Sequence, residues 1–562
     1  MTLHEVLLAT ASTSLAACLL ATPALAAPPT GATAPAAAAS AASAPTATPI
    51  QHLVIIYNEN VSFDHYFGTY PKAANPNGEP AFTARPGTPA VNGLAQDELL
   101  TRNPNFTNQA NGRDAANPYR LDRSQAATAD QDHAYTAEQL AYDHGRMDLF
   151  PRFTGKGSAG GPGAFATRGQ VMGYYDANTV AAMWNYAQHF AMSDNAWTDT
   201  YGPSTPGALE VVSGQTDGMR IVHTTKPPFR LHGGYSYYIK DGAGDLAMIN
   251  DVDPAYDVCS SPADQVMMRG RNIGDLLNAA HVTWGGFMGG FDLATKNANA
   301  STGCHRSTLS PVVHARISDY IPHHNWFQYF ASTANPTHAR PSSLAAIGYS
   351  FAADGKPDPA NHEYGLKDFY AAVQAGNFPA VSYIKLPAYQ DGHAGYSDPL
   401  DEQQGTVALI DFLERQPGWK HTAVIITWDD SDGWYDHVFQ KPTNASFDAQ
   451  ADQLDGAGHC GTGTPMAGLA GKPVNGRCGP GTRIPFLVIS PWAKPNFVAH
   501  KPISQASVVR FIEDNWLGGK RLGGGSFDAT TGSIMDMFDF RSGGKLAPLM
   551  LDPATGVPLA AN

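Results

Sequence analysis

Four runs of apolar, largely β-branched residues stand out along the chain: His52–Tyr57 (HLVIIY), Phe378–Leu386 (FPAVSYIKL), Thr422–Trp428 (TAVIITW) and Ile484–Ser490 (IPFLVIS). Their hydrophobicity is continuous rather than alternating, which is the signature of strands covered on both faces. Apolar positions recur with helical spacing over Ala134–Leu149, Thr179–Phe190, Glu402–Arg415 and Ser504–Trp516, the last opening on Ser504 as a cap. Strands alternating with helices predict an α/β fold around a mainly parallel central sheet. No internal repeat is evident.

Other stretches lack this grammar. Residues 27–49 are almost wholly Ala, Pro, Thr and Ser, a composition unable to bury a core, and read as an extended linker. Before it, the apolar run Val6–Leu20 and the small-x-small motif Ala24-Leu25-Ala26 predict a signal peptide over 1–26, although Met1–Glu5 carries no Lys or Arg. Leu15-Ala16-Ala17-Cys18 offers a lipid anchor on Cys18 as a second reading. A catalytic domain is expected over 50–562. Within it, the Gly- and aromatic-rich stretch Arg220–Tyr320 reads as an insertion rimming the site, and the chain beyond Gly523 as a strap over the core. No segment after the signal is long enough to span a membrane. The expected compartment is therefore the periplasm or the exterior. There Cys259, Cys304, Cys460 and Cys478 are expected to pair locally, as Cys259–Cys304 and Cys460–Cys478, rather than hold a metal.

Composition narrows the function. A net charge of −14, without clusters of Lys and Arg, argues against a nucleic-acid partner. It also sets a general repulsion of anionic substrates, so a phosphate ester would need a metal or protonated His in the cleft. With 56 Gly and 42 Pro among 562 residues, the chain has ample ordered loop in which to build such a cleft.

In open α/β sheets the cleft lies beyond the carboxyl ends of the strands. The first run leads there into Asn58-Glu59-Asn60, and TAVIITW leads into Asp429-Asp430-Ser431-Asp432-Gly433. Adjacent aspartates repel one another and, if buried, call for a cation, and carboxylates with an amide oxygen suit Mg²⁺, Ca²⁺ or Mn²⁺. The plainer alternatives are a solvated DDSDG turn and a helix cap at Glu59-Asn60. A third element, Gly202-Pro203-Ser204-Thr205-Pro206-Gly207, exposes a hydroxyl at a helix start, where Ser204 or Thr205 would serve as nucleophile or merely as N-cap. Histidines in His323-His324-Asn325 and in Asp391-Gly392-His393 could contact phosphate oxygens or protonate a leaving alcohol. His133, His144 and the Asp436-His437 pair lack such context and are set aside.

Taken together, Asn58–Gly68 (NENVSFDHYFG) resembles the opening motif of a bacterial phosphoesterase family that contains acid phosphatases and phospholipases C. The Gly202–Gly207 turn, His323–Phe327 and Asp429–His437 resemble further motifs of that family, and the likeness runs from about Ile50 to Phe540. It implies an alkaline-phosphatase-like three-layer α/β sandwich. It further implies one divalent metal on Glu59, Asn60, Asp429, Asp430 and Ser204, with Ser204 as nucleophile and Asn60, His323, His324 and His393 facing the phosphate. The GPSTPG turn is more similar to the acid-phosphatase branch, so phosphomonoester hydrolysis through a phosphoserine is the expectation. Phospholipase C is the alternative, and a non-catalytic calcium- or carbohydrate-binding protein is the rival of another class. The sulfatase nucleophile motif is absent.

Overall fold

A computed structural model describes residues 45–232 and 235–560. The proposed signal peptide, Cys18 and the linker as far as residue 44 lie outside the described residues. From Ala47 the chain is tied down, since Ala47 N–H donates to Asn515 O and Thr48 bonds the Asn515 side chain through N–H and Oγ1.

The core is a nine-stranded sheet made of β1 (His52–Asn58), β2 (Ala191–Trp197), β3 (Trp284–Met288), β4 (Glu363–Gly365), β5 (Val381–Lys385), β6 (Thr422–Trp428), β7 (Arg483–Ile489), β8 (Phe497–Ala499) and β9 (Ile503–Ser504). The spatial order is β4-β3-β5-β1-β6-β7-β2-β8, with β9 also on β2. Every pairing is parallel except those of β7, which runs antiparallel to β6 and to β2. All four expected strands are present, each within a few residues of its apolar run. β2 (AMSDNAW) and β3 (WGGFM) lack continuous apolar runs, and nothing in their local pattern marks them as central strands.

Helices cover both faces, which is why the central strands are apolar throughout. The relevant ones are α1 (Phe63–Phe67), α2 (Tyr135–Tyr142), α3 (Ala181–His189), α4 (Ser204–Ser213), α5 (Pro399–Glu414) and α6 (Ala506–Trp516). Tyr57 and Tyr383 donate their hydroxyls to Gly207 O and Val211 O of α4 on one face, while Asn58 and Trp428 reach Glu402 of α5 on the other. The three-layer expectation is met. Two helices differ from their sequence reading. The first stops at Tyr142 because Asp143 and His144 take left-handed φ of 43° and 58°. In α6 the N-cap position falls on Gln505, while Ser504 belongs to β9 and gives its hydroxyl to Asp199.

The span expected to be an insertion begins in a five-stranded sheet over Asp217–Met268 and also supplies β3 to the main sheet. Both expected disulfides, Cys259–Cys304 and Cys460–Cys478, are formed. Beyond Gly523 the chain wraps the core, with Leu549 and Leu551 N–H donating to Glu414 and Asp411 of α5.

Candidate active site

Parallel pairing of β1 with β6 sets Asn58 opposite Trp428, so Glu59-Asn60 and Asp429-Asp430 emerge side by side at the carboxyl edge of the sheet. Asp429 Oδ1 accepts from the N–H of Asn60 (2.9 Å) and of Asp430 (2.8 Å), and Asp430 Oδ1 accepts from Asp432 N–H (2.6 Å). Asn60 and Asp432 turn the chain with left-handed φ of 63° and 54°, a region that Asn and Asp tolerate better than most residues. Their side chains meet, Asn60 Nδ2 donating to Asp432 Oδ1 at 3.1 Å. Asp429–Asp432 are at most 1% exposed, which disposes of the solvated-turn reading. The cap of α1 is Ser62, leaving Glu59 and Asn60 free of that role.

Ser204 is the first residue of α4, and Pro203 holds the N-cap position without a side-chain bond. The serine is therefore no cap. Its Oγ donates to Glu59 Oε2 (2.8 Å) and lies 3.4 Å from Asp430 Oδ2. A Cβ on Gly207 would sit 2.2 Å from Asp429 O, so only glycine lets the helix start come this close to the aspartate loop. Gln505 Nε2 braces the same joint, donating to Asp429 O and Tyr57 Oη. Thr205 N–H donates to Asp251 Oδ1, and its hydroxyl has no partner.

Basic groups stand around the acids. Lys385, at the end of β5, bonds Glu59 Oε1, which also lies 3.1 Å from His324 Nδ1. His133 Nδ1 lies 3.2 Å from Asp432 Oδ1, and its Nε2 lies 3.4 Å from Asn60 Nδ2. Burial opposes charge on His133, but Asp430 and Asp432 outweigh it and hold the pKa well above the ordinary imidazole value. Burial, assisted by neighbouring histidines, drives His324 well below that value, and burial brings His393 to about 4. Asp391, 3.8 Å from His324, is raised to about 7 by burial. His323 sits at the edge, beside Asp253 at 3.4 Å and stacked edge-on against His324.

The residues fit a hard divalent ion. Burial, then the neighbouring Asp429, pushes the Asp430 carboxyl well above its usual range, so the site is short of positive charge. Asn60 Oδ1 and Asp429 Oδ2 are buried without any hydrogen-bond donor, and Glu59 Oε2 and Asp430 Oδ2 converge on the Ser204 hydroxyl. Carboxylate, amide and hydroxyl oxygens of this kind are the donor chemistry that suits Mg²⁺, Ca²⁺ or Mn²⁺. Two Asp/His groupings adjoin these acids, Asp130-His133-His393 and Glu59-His324-Asp391, the second sharing Glu59 with them.

Ser204, Glu59, Asn60, Asp429 and Asp430 thus come together, with His324 against them and His393 a ring stack away from His324 at 6.3 Å. His133, set aside in the sequence, and Lys385, not singled out there, join them. A lysine closing an otherwise apolar strand was the available signal for Lys385, whereas Gln131-Asp132-His133 offers no local cue. Asp436 and His437, from the same motif as Asp429, lie elsewhere. With Asp64 they surround Arg483, whose guanidinium reaches Asp64 and Asp436 at 3.0 Å each, while His437 Nδ1 lies 2.6 Å from Asp64.

The model of the Phosphoesterase family matches residues 50–517. A non-hemolytic phospholipase C of Pseudomonas aeruginosa is 26% identical over 477 residues, covering 83% of this chain and 54% of that protein. Its counterpart in Burkholderia pseudomallei is 24% identical, covering 83% and 55%. Phospholipase C A of Mycobacterium tuberculosis is 23% identical, covering 83% and 72%. The chain spans about half the length of the first two. Among solved structures, a mutant of alkaline phosphatase PafA aligns at a TM-score of 0.30 and 10% identity, covering 63% of this chain and 93% of that one, a likeness too slight to carry an argument.

Proposed function

Since the chain belongs to the Phosphoesterase family, we propose that it is a metal-assisted phosphoester hydrolase with Ser204 as nucleophile. The observation carrying this reading is the Ser204 hydroxyl held 2.8 Å from Glu59 and 3.4 Å from Asp430, within a buried cluster that has acceptors to spare. Glu59, Asn60, Asp429, Asp430 and Ser204 would hold the ion. When bound, it supplies the charge that favours the serine alkoxide and neutralises a phosphoryl oxygen.

The protein's own groups supply the rest. Ser204 Oγ passes its proton to Glu59 Oε2, to which it is hydrogen-bonded, and attacks phosphorus as the ester oxygen departs, giving a phosphoserine and an alcohol; Glu59 returns that proton to Oγ when water frees the serine. His133, held 3.2 Å from Asp432 beside the acid cluster, is the proton donor assigned to the leaving oxygen, with His324 and His393 as the neighbouring imidazoles. Water then attacks the phosphoserine and gives its proton back to His133. His393 Nδ1 is engaged by Ala394 O at 2.6 Å, which leaves Nε2 for a phosphoryl oxygen. Asn60 lies against the same region.

For substrate class, the relatives' names favour phospholipase C-type cleavage of a phosphodiester over the phosphomonoester preference read from the Ser204 turn. Turnover of p-nitrophenylphosphorylcholine above p-nitrophenyl phosphate is the expected result, and the reverse order would restore the phosphatase reading. Export belongs to the same proposal, supported by two disulfides typical of an oxidising compartment. No helix among the described residues is long and apolar enough to cross a membrane.

A further inference from the structure

Glu138, on α2, is 1% exposed and has no cationic partner within ion-pair distance among the described residues. Burying a carboxylate without a counter-ion is costly, and an apolar side chain of similar volume would fill the space more cheaply. What the carboxylate does have is two donors from different parts of the site. Oε2 accepts from Gly202 N–H at 2.9 Å, and Oε1 accepts from the Ser431 hydroxyl at 3.0 Å.

Each donor is a short, stiff step from the chemistry. Gly202 has a left-handed φ of 118° and a Cβ there would lie 2.7 Å from Ile249 O, while Pro203 follows at φ −80°, so little freedom separates this N–H from Ser204. Ser431 adjoins Asp430, and its Oγ also accepts from Gly433 N–H at 3.1 Å. The helix bearing Glu138 begins two residues after His133, and its first N–H is fixed by Asn250, the neighbour of the Asp251 that accepts from Thr205 N–H. One carboxylate therefore links the segment carrying His133, the turn carrying Ser204 and the loop carrying Asp430.

We propose that Glu138 is a positioning residue, which sets the Ser204 oxygen against Asp430 and His133 by bracketing the Gly202 N–H and the Ser431 hydroxyl. The proposal rests on Ser204 being the nucleophile. It assigns Glu138 no contact with substrate or metal. A displacement of about 1 Å at a nucleophile costs roughly 10²-fold in rate, and the loss falls on kcat because neither the ion's ligands nor the substrate's contacts are removed.

The test compares Glu138→Leu, Glu138→Gln and Ser431→Ala with wild type and with Ser204→Ala, using the metal-loaded full chain and a chromogenic phosphoester. Glu138→Leu should lower kcat about 10²-fold with KM unchanged, measured at saturating metal. Glu138→Gln should restore kcat to within a few-fold, because its amide oxygen accepts from Gly202 N–H while its NH₂ donates to a reoriented Ser431 hydroxyl. Ser431→Ala breaks one arm of the bracket and should fall between them, and it carries the test together with Glu138→Gln should the leucine variant not fold. Wild-type kcat in folded Glu138→Leu or in Ser431→Ala would overturn the proposal, as would a loss in Glu138→Gln equal to that in Glu138→Leu. Activity retained in Ser204→Ala would instead sink the nucleophile reading itself.

Discussion

Two buried clusters of carboxylate and imidazole lie close together in sequence: the acids around Ser204, where Glu59 also groups with His324 and Asp391, and the latch of Asp64, Asp436 and His437. They differ in what their atoms already have. In the latch, Arg483 places donors on Asp64, Asp436, Asn92 O and Asp194 O and lies over the Phe63 ring, and none of the four charged side chains has an unpartnered buried atom. Burial raises the Asp64 carboxyl, but His437 and Arg483 outweigh it and bring the pKa below the ordinary value. In the acid cluster the balance falls the other way for Asp430, and Asn60 Oδ1 and Asp429 Oδ2 are left without partners. A satisfied network holds structure together. An unsatisfied one at a strand end is built for a ligand.

The two clusters should respond to mutation in opposite ways. Asp430→Ala should remove bound metal and cut turnover by at least about 10²–10³-fold, the cost of one preorganised electrostatic group, while leaving the metal-free protein no less stable, because a like charge has gone. Activity and metal stoichiometry read the first part, and urea unfolding of the chelated protein reads the second. Arg483→Met should behave oppositely, costing about 3–5 kcal/mol by stranding buried carboxylates, with metal stoichiometry of the folded fraction unchanged. Metal loss from Arg483→Met, or marked instability of metal-free Asp430→Ala, would erase the distinction.

Metal itself sharpens it next. Exhaustive chelation should abolish activity, and Mg²⁺, Ca²⁺ or Mn²⁺ at about 100 times its Kd should stabilise the protein by about 2.7 kcal/mol. That increment should vanish in Asp430→Ala and persist in His437→Gln. An equal melting shift in both variants would place the ion elsewhere.

How much of this was legible differs between the two clusters for a physical reason. Continuous apolar runs marked β1, β5, β6 and β7, because strands covered on both faces need apolar side chains throughout, and the residues directly after β1 and β6 could then be placed at the carboxyl edge. β2 and β3 escaped because their position depends on pairing partners far away in the chain. His133 was set aside and Glu138 passed over for the same reason: α2 reaches the site through contacts with Asn250, Gly202 and Ser431, all distant in the chain. Position directly after β6 already separated Asp429 from Asp436 within their shared motif, whereas the partner that occupies Asp436, Arg483, stands more than forty residues later in the chain and left no local sign.

The smallest expected effect is the pH dependence of the latch. His437 is disfavoured as a cation by burial but raised above its ordinary value by Asp64. Its contribution is therefore complete below about pH 6.5 and is lost as pH rises through the elevated folded-state value. Asp64, depressed in the fold, contributes above about pH 4 and loses its contribution as pH falls through its lowered value. His437→Gln should accordingly flatten the alkaline side of the stability profile. Parallel melting-temperature profiles for variant and wild type between pH 5 and 9 would count against this.

The central claim, that Ser204 becomes phosphorylated within the acid cluster, is tested most directly by acid-quenching metal-loaded protein during turnover of a ³²P-labelled phosphoester and mapping the label. The account predicts covalent phosphate on Ser204, absent from Ser204→Ala, which should remain folded and metal-binding but several orders of magnitude slower. Label on Thr205, or substantial turnover by Ser204→Ala with no label on the protein, would contradict it.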